Sequence, residues 1–310
     1  MEFSESEVIA ELSKIFTRDD SRVLVGIGDD AAVITSPLQK SVITTDMAVE
    51  GVHFRREWST PVEIGQKITA ANLADVYAMG ATPEHLVVAI SLTGHESMVW
   101  IKELAHGIEM EARSCDVLVI GGDIVRGPVI TISMTAIGQT DKPILRSGAR
   151  VGDQIVVSNL PGWSAAGLFL LRHNINVSAV QPGRCVERAL AQFRAPSVQY
   201  FDAIALRNRA HAMCDISDGL LIQAEQMASN TKFVLNSDLI RLHPDFADLT
   251  GLAAQVGADV WDWIAAGGED HAFLATGIDL PGYAIGVVEQ GNGVELQGVQ
   301  KRPRGFSHFI

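Results

Sequence analysis

Seven aspartates interrupt apolar stretches of this chain, each close to a glycine or a hydroxyl residue. They are Asp29 and Asp30 in GIGDDAAV, Asp46 in VITTDMAVEGVHF, Asp75 in ANLADVYAMGA, Asp123 in VIGGDIVRG, and Asp215 and Asp218 in CDISDGL. Any one of them could cap a helix or close a turn. Seven half-buried carboxylates together would repel one another unless positive charge lay among them. A hard cation meets that need. Carboxylate oxygens with a threonine hydroxyl, from Thr44 or Thr45, are donors that Mg²⁺ prefers, and Mg²⁺ leaves room for phosphate oxygens. Zinc is disfavoured, because the chain has no HExxH and no Cys/His cluster. Of the nine scattered histidines, His53 stands apart, in EGVHF directly after the Asp46 segment.

The glycines suit phosphate chemistry, since Gly-flanked turns expose backbone N–H groups and let an anion approach. No GxxxxGK[ST] occurs, so the chain is not a P-loop protein, and the GxG at 26–28 lacks a third glycine at dinucleotide-binding spacing. Arg126 and Arg146 are the candidate phosphate clamps. Cys214 lies beside Asp215, where a label on its thiol would report on the site.

The elements that must hold these residues read as alternating strands and helices. Val8, Leu12, Ile15 and Phe16 predict a helix over 5–16, followed by strands at 22–27, 31–35 and 41–45. Thr60-Pro61 opens a helix whose apolar residues include Ile64, Ile68, Ala71 and Met79, with Gly80 at its end. Then come a strand at 84–92, a helix at 97–113 and strands at 116–120 and 129–138. The polar segment 139–150 is the best boundary. It predicts an N-terminal domain over 1–140 and a C-terminal one over 150–310. The second half offers a strand at 151–159, helices at 163–173 and 183–208 with a break at Pro196, a strand-turn-helix in HAMCDISDGLLIQAEQM, and strands near 271–275, 283–288 and 294–299. The fold class is α/β (α+β) in two domains. Trp58, Trp100, Trp261 and Trp263 read as packing residues, and Glu109, Glu111 and Arg113 as a solvated helix face.

The chain of 310 residues carries a formal charge of −13, which argues against a nucleic-acid or anionic-membrane surface. Its three cysteines, without CxxC spacing, predict reduced thiols in a cytoplasmic protein. No apolar run is long enough to span a membrane.

In order and spacing, GIGDDAAV, TTDMAVEGVHF, NLADVYAMGA, GGDIVRG, LRSGARVGD, ISDGL and GGEDHAF resemble the thiamine-monophosphate kinases, from about residue 20 to the C-terminus. TTDMAVEGVHF followed by NLADVYAMGA is the specific part; SDG also recurs in related enzymes. The resemblance implies ATP-dependent transfer of the γ-phosphoryl group, directly and in line, onto thiamine monophosphate to give thiamine diphosphate. It implies several Mg²⁺ ions, a homodimer formed through the N-terminal sheet, and a C-terminal α+β domain. By motif position it implies Asp30, Thr45, Asp46, Asp75, Asp123, Asp215 and Asp218 as metal ligands. It likewise implies Gly122, Arg146 and Ser217 as nucleotide contacts, and His53, Glu269 and Phe306 as acceptor contacts. Asp29 then orders its turn or supports a ligand. No side chain is implied as a general base, because a phosphate-monoester acceptor is already anionic and the barrier is electrostatic.

This chain departs from that family pattern at Ile124 and Val125, where threonines are usual. It also has Ala105 where an aromatic nucleotide contact is common, and His271 in place of a usual tyrosine. Within the same superfamily, a selenophosphate synthetase would want a reactive cysteine near the N-terminus and a hydrogenase maturation protein one at the C-terminus. A regulator with decayed catalysis would be expected to lose metal ligands, and here the aspartates are intact.

Overall fold

The computed structural model describes residues 23–25, 29, 32–35, 40–181 and 183–299. The helix expected over 5–16, and the site candidates Asp30 and Phe306, lie outside the described residues. Within them the chain forms two six-stranded sheets and nine α-helices.

The first sheet runs β1 (Val23–Val25), β2 (Ala32–Thr35), β3 (Lys40–Val49), β6 (Thr131–Thr140), β4 (Thr82–Leu92) and β5 (Leu118–Arg126). All neighbours are antiparallel except β4 and β5. Asp46 stands within β3, opposite Met134, rather than at a strand end. The sequence pattern expects β5 to stop at 120 and GGD to form a turn. Instead the strand continues through Gly121, Gly122 and Asp123, opposite Val87, Val88 and Ala89, after a register shift that leaves Ile120 as an extra residue. Gly122 is needed there because a Cβ would lie 1.9 Å from the Val88 carbonyl oxygen.

Helix α1 (Pro61–Ala78) starts where sequence predicts. Thr60 accepts a hydrogen bond from the Glu63 amide while the Glu63 carboxylate takes the Thr60 amide, a reciprocal cap that satisfies two otherwise orphaned donors. Its buried side chains lie on more than one face, because α1 packs on β3, β4 and β6 of the first sheet and also on elements of the second half. Helix α2 (Met98–Ser114) crosses it at glycines. A Cβ on Gly107 would sit 2.0 Å from the Val62 carbonyl oxygen, and one on Gly65 2.3 Å from that of Leu104.

The second sheet has the order β12 (Gly293–Gln297), β9 (Thr231–Asn236), β11 (Tyr283–Gln290), β7 (Gln154–Val157), β10 (Phe273–Gly277) and β8 (Ala210–Asp215). Only β12 and β9 pair in parallel. Seven helices accompany it: α3 (Trp163–Arg172), α4 (Gly183–Arg194), α5 (Tyr200–Leu206), α6 (Leu220–Ala228), α7 (Ser237–Arg241), α8 (Phe246–Val256) and α9 (Val260–Ala266). The sequence reading names no element between 231 and 266, where the structure has β9, α7, α8 and α9; α7 and α9, of five and seven residues, are too short for a clear period. Trp261 and Trp263 are buried in this half's core.

The apolar core around α1 does not end at the polar segment 139–150. It joins Leu73, Val76 and Tyr77 of α1 to Tyr200, Ala203, Met213, Phe273 and Ala275. Tyr77 stacks on Tyr200 with ring centroids 4.9 Å apart, and the Tyr200 hydroxyl donates to Glu111 at 2.6 Å. Glu111 is therefore part of the seam between the halves rather than a solvated position, and burial holds its carboxyl above the usual range.

Gly107→Ala is expected to lower the stability of the protein by about 1–3 kcal/mol, read from its denaturation midpoint, because the new methyl group meets backbone that cannot turn aside.

Candidate active site

Four of the sequence-predicted aspartates converge where α1 passes between the sheets. β3 presents Thr44 and Asp46 on one face by its two-residue alternation. The Thr44 hydroxyl donates to Asp75 Oδ2 at 2.8 Å, so Asp75, on the last turn of α1, is drawn to the same face. Asp215 ends β8 at 1% exposure, and Asp218 follows in the turn before α6. The charges of Asp215 and Asp218 act on both Asp46 and Asp75. Burial, and then the charges of Asp215 and Asp218, push the Asp46 carboxyl up to about 6, against the pull of His271. Burial, and then Asp46, Asp215 and Asp218, hold Asp75 well above the carboxylate range, although the Thr44 hydrogen bond opposes this.

The sequence shows no His–Asp pair, but the fold builds one: His271 Nδ1 lies 2.8 Å from Asp215 Oδ2, with both side chains buried. Burial disfavours the charged imidazole, yet the bond to Asp215 and the charges of Asp215, Glu269 and Asp46 together raise the His271 pKa. Asp215 Oδ1 remains buried without a hydrogen-bond partner among the described residues. That orphaned oxygen, in an all-oxygen set of carboxylates and a hydroxyl, fits a hard cation. Among the described residues no three His, Cys, Asp or Glu side chains form a ready-made cage. Mg²⁺ does not demand one, because it commonly takes one or two carboxylates and completes its shell with water and substrate phosphates.

Two predicted ligands stand apart from this group. Thr45 faces the other side of β3, where its hydroxyl donates to the Met134 carbonyl and accepts from Thr135. Of the two threonines left open by sequence, Thr44 is the one that meets the aspartates. Asp123 lies on exposed β5, three strands from β3, and accepts the amide of Ile124 at 2.9 Å. With Gly122, Val88, Ala105, Ile108 and Ile124 it lines a separate cleft of about 660 Å³ between α2 and β5.

The nucleotide candidates Arg146 and Ser217 are anchored from several sides. The Arg146 amide donates to Asp29 Oδ2 at 3.2 Å, its Nε lies 3.9 Å from Asp29 Oδ1, and its Nη1 donates to Gln226 at 2.6 Å. Asp29 thus orients an arginine. Burial raises the Asp29 pKa, and Arg146 partly offsets that. Ser217 accepts from Gln223 Nε2 at 3.0 Å.

Among the acceptor candidates, His53 is held in the turn after β3, with Nδ1 accepting the Val49 amide at 3.1 Å. A neutral His53 then carries its proton on Nε2. Glu269 sits in a loop drawn tightly over Ser217. Its amide donates to the Ser217 carbonyl at 2.7 Å, the His271 amide donates to that of Ile216, and a Cβ on Gly268 would lie 2.0 Å from the Ser217 oxygen. Both Glu269 (φ 63°) and His271 (φ 52°) adopt left-handed backbone, strain that non-glycine residues keep only where surroundings impose it. Between them, Asp270 accepts the amides of Gly162 and Ser164 at the start of α3, while burial pushes its carboxyl up to about 6. Sequence reasoning missed Lys67, which pairs with Glu269 at 2.9 Å, because the two are 202 residues apart.

The AIR synthase related protein family matches this chain in two parts, its N-terminal domain over residues 28–140 and its C-terminal domain over 150–257. The thiamine-monophosphate kinase of Corynebacterium glutamicum is 38% identical over 90% of this chain and 86% of its own length. That of Aquifex aeolicus is 31% identical over 91% of this chain and 92% of its own. The solved structure of AaThiL complexed with AMPPCP and TMP superposes with a TM-score of 0.88 at 29% identity, covering 99% of this chain and 97% of that one.

Asp46 should make the metal-free protein pH-sensitive. A carboxyl whose folded pKa is raised from 3.8 to about 6 contributes its stability below the unfolded value, and that contribution is lost as pH rises through about 6. At neutral pH, Asp46→Asn is therefore expected to be more stable than the metal-free wild type by about 2–3 kcal/mol, with the advantage vanishing near pH 4. Added Mg²⁺ should raise the melting temperature of wild type more than that of the variant.

Proposed function

We propose, on the premise that this chain belongs to the thiamine-monophosphate kinase family, that it transfers the γ-phosphoryl group of ATP directly to the phosphate of thiamine monophosphate, forming thiamine diphosphate and ADP. The observation that carries the reading is the convergence of Asp46, Asp75, Asp215 and Asp218 in one buried field, in a chain whose curated relatives carry that name.

The reaction brings two anions together and spreads charge in a loose transition state, so positioning and neutralisation carry most of the catalysis. Asp46, Asp75, Asp215 and Asp218, with Thr44 beside them and Asp30 by resemblance, are the residues that would hold Mg²⁺. When bound, Mg²⁺ supplies the positive charge that lets a polyphosphate enter an acidic cleft. Arg146, oriented by Asp29 and Gln226, presents its guanidinium to phosphate oxygens. Gly122 and Asp123 border the cleft beside Ala105, which suits a nucleotide base. His53 and Glu269, with Phe306 by resemblance, receive the acceptor. His271 keeps Asp215 in one orientation and needs no role in proton transfer, since the attacking group is a phosphate oxygen.

We also infer a homodimer formed on the first sheet. β5 is an edge strand exposed along its whole length, and it shows Leu118, Val119, Ile120, Ile124 and Val125 to solvent. A long apolar edge of this kind calls for a partner, and the two aliphatic side chains at 124 and 125 suit such a contact. No helix among the described residues is long and apolar enough to cross a membrane. The three cysteines are free, which fits the cytoplasm.

Purified protein with ATP and Mg²⁺ should convert thiamine monophosphate to equal amounts of thiamine diphosphate and ADP, and should leave free thiamine unphosphorylated. Asp75→Asn should lower turnover by about 100-fold or more with the circular dichroism spectrum intact. ADP formation without thiamine diphosphate would move the reading to another acceptor. In light scattering after size exclusion, Ile124→Lys should shift a dimer to a monomer, and a wild type that is already monomeric would overturn the interface.

A further inference from the structure

We propose that Lys67 is a positioning residue of the acceptor site: it reaches from α1 into the second half of the chain and holds the Glu269 carboxylate where the acceptor's cationic ring is received. The inference deepens the reading above and rests on Glu269 as an acceptor contact.

The Lys67 side chain is only 11% exposed. Its ammonium donates to Glu269 Oε2 at 2.9 Å and to the Phe193 carbonyl oxygen at 3.0 Å, and it lies 4.1 Å from the centroid of the Phe193 ring. Thus every one of these contacts belongs to the other half of the molecule, 126 or 202 residues away. Withdrawing an ammonium from water costs several kcal/mol unless its partners are well placed. A methionine of similar length would fill the same gap without that cost. The charge at position 67 is therefore explained by what it does to Glu269.

The Glu269 main chain is already fixed, at φ 63° and by its bond to Ser217. What remains free is the side chain, and Lys67 removes that freedom. The ammonium takes Oε2, while Oε1 accepts no hydrogen bond from the described residues. A carboxylate has lone pairs enough on both oxygens for two partners. Glu269 can thus stay on Lys67 and turn Oε1 to a positively charged heterocycle, a thiazolium or similar quaternary-nitrogen ring. A freely rotating glutamate would have to be ordered each time such a ring bound.

The test compares Lys67→Met, Lys67→Arg, Glu269→Gln and the double variant Lys67→Met/Glu269→Gln, after thermal melts show that each is folded. Lys67→Met is expected to raise the KM for thiamine monophosphate about tenfold with the KM for ATP unmoved, and Lys67→Arg to recover most of that loss. In the Glu269→Gln background, adding Lys67→Met should change the KM less than about twofold, because its partner is already gone. Additive losses, an unchanged acceptor KM, or an equal shift in the KM for ATP would overturn the proposal. Absence of turnover in wild type would instead sink the functional reading. Crystal structures of wild type and Lys67→Met then decide the positioning role by themselves: a Glu269 carboxylate in the same place in both rules it out, and one that loses its place sustains it.

Discussion

Like charge confined between two sheets is the constraint on which the rest of this molecule depends. Asp215 and Asp218 raise the cost of ionising Asp46, and these three together raise that of Asp75, while His271 and the Thr44 hydrogen bond oppose the effect. A fold that holds such a group without its counter-charge gives up stability for a site that a cation and a polyphosphate complete. The surrounding packing has to supply the rigidity that the cluster itself opposes.

α1 supplies much of it. The helix is capped at one end by the Thr60–Glu63 reciprocal bonds, crossed closely by α2 at Gly65 and Gly107, and stacked on α5 through Tyr77. It delivers Asp75 to Thr44 and Asp46 of the first sheet and Lys67 to the second half's loop. One element thus holds both the aspartate cluster and the Glu269 loop, and an apolar core runs through it into both halves.

The loop over 267–271 is the second fixed point. Two non-glycine residues in left-handed backbone, five amide bonds to carbonyl or carboxylate partners and a buried His–Asp pair all fall within it or on its neighbours. Strain of this kind persists where several contacts over-determine a conformation. Here those contacts tie Ser217, Asp215, the start of α3 and Glu269 to a single geometry.

The local features of this protein were legible in its amino-acid order. The cap and start of α1, the alternation that sets β3, the break near Pro196 and the strand-turn-helix around Asp215 follow from short-range sterics and hydrogen bonding, and these act within a few residues. The aspartates announced themselves in the same way, as carboxylates set in apolar runs. What sequence left open was whatever depends on contact between distant segments. The tertiary structure bonded Thr44 to Asp75, carried β5 through GGD because Val88 runs beside it, gave Asp29 an arginine 117 residues away, and joined Lys67 to Glu269. The physical reason is one of range. Backbone preference is written residue by residue, whereas the partner of a buried charge is settled only when the whole chain has closed around it.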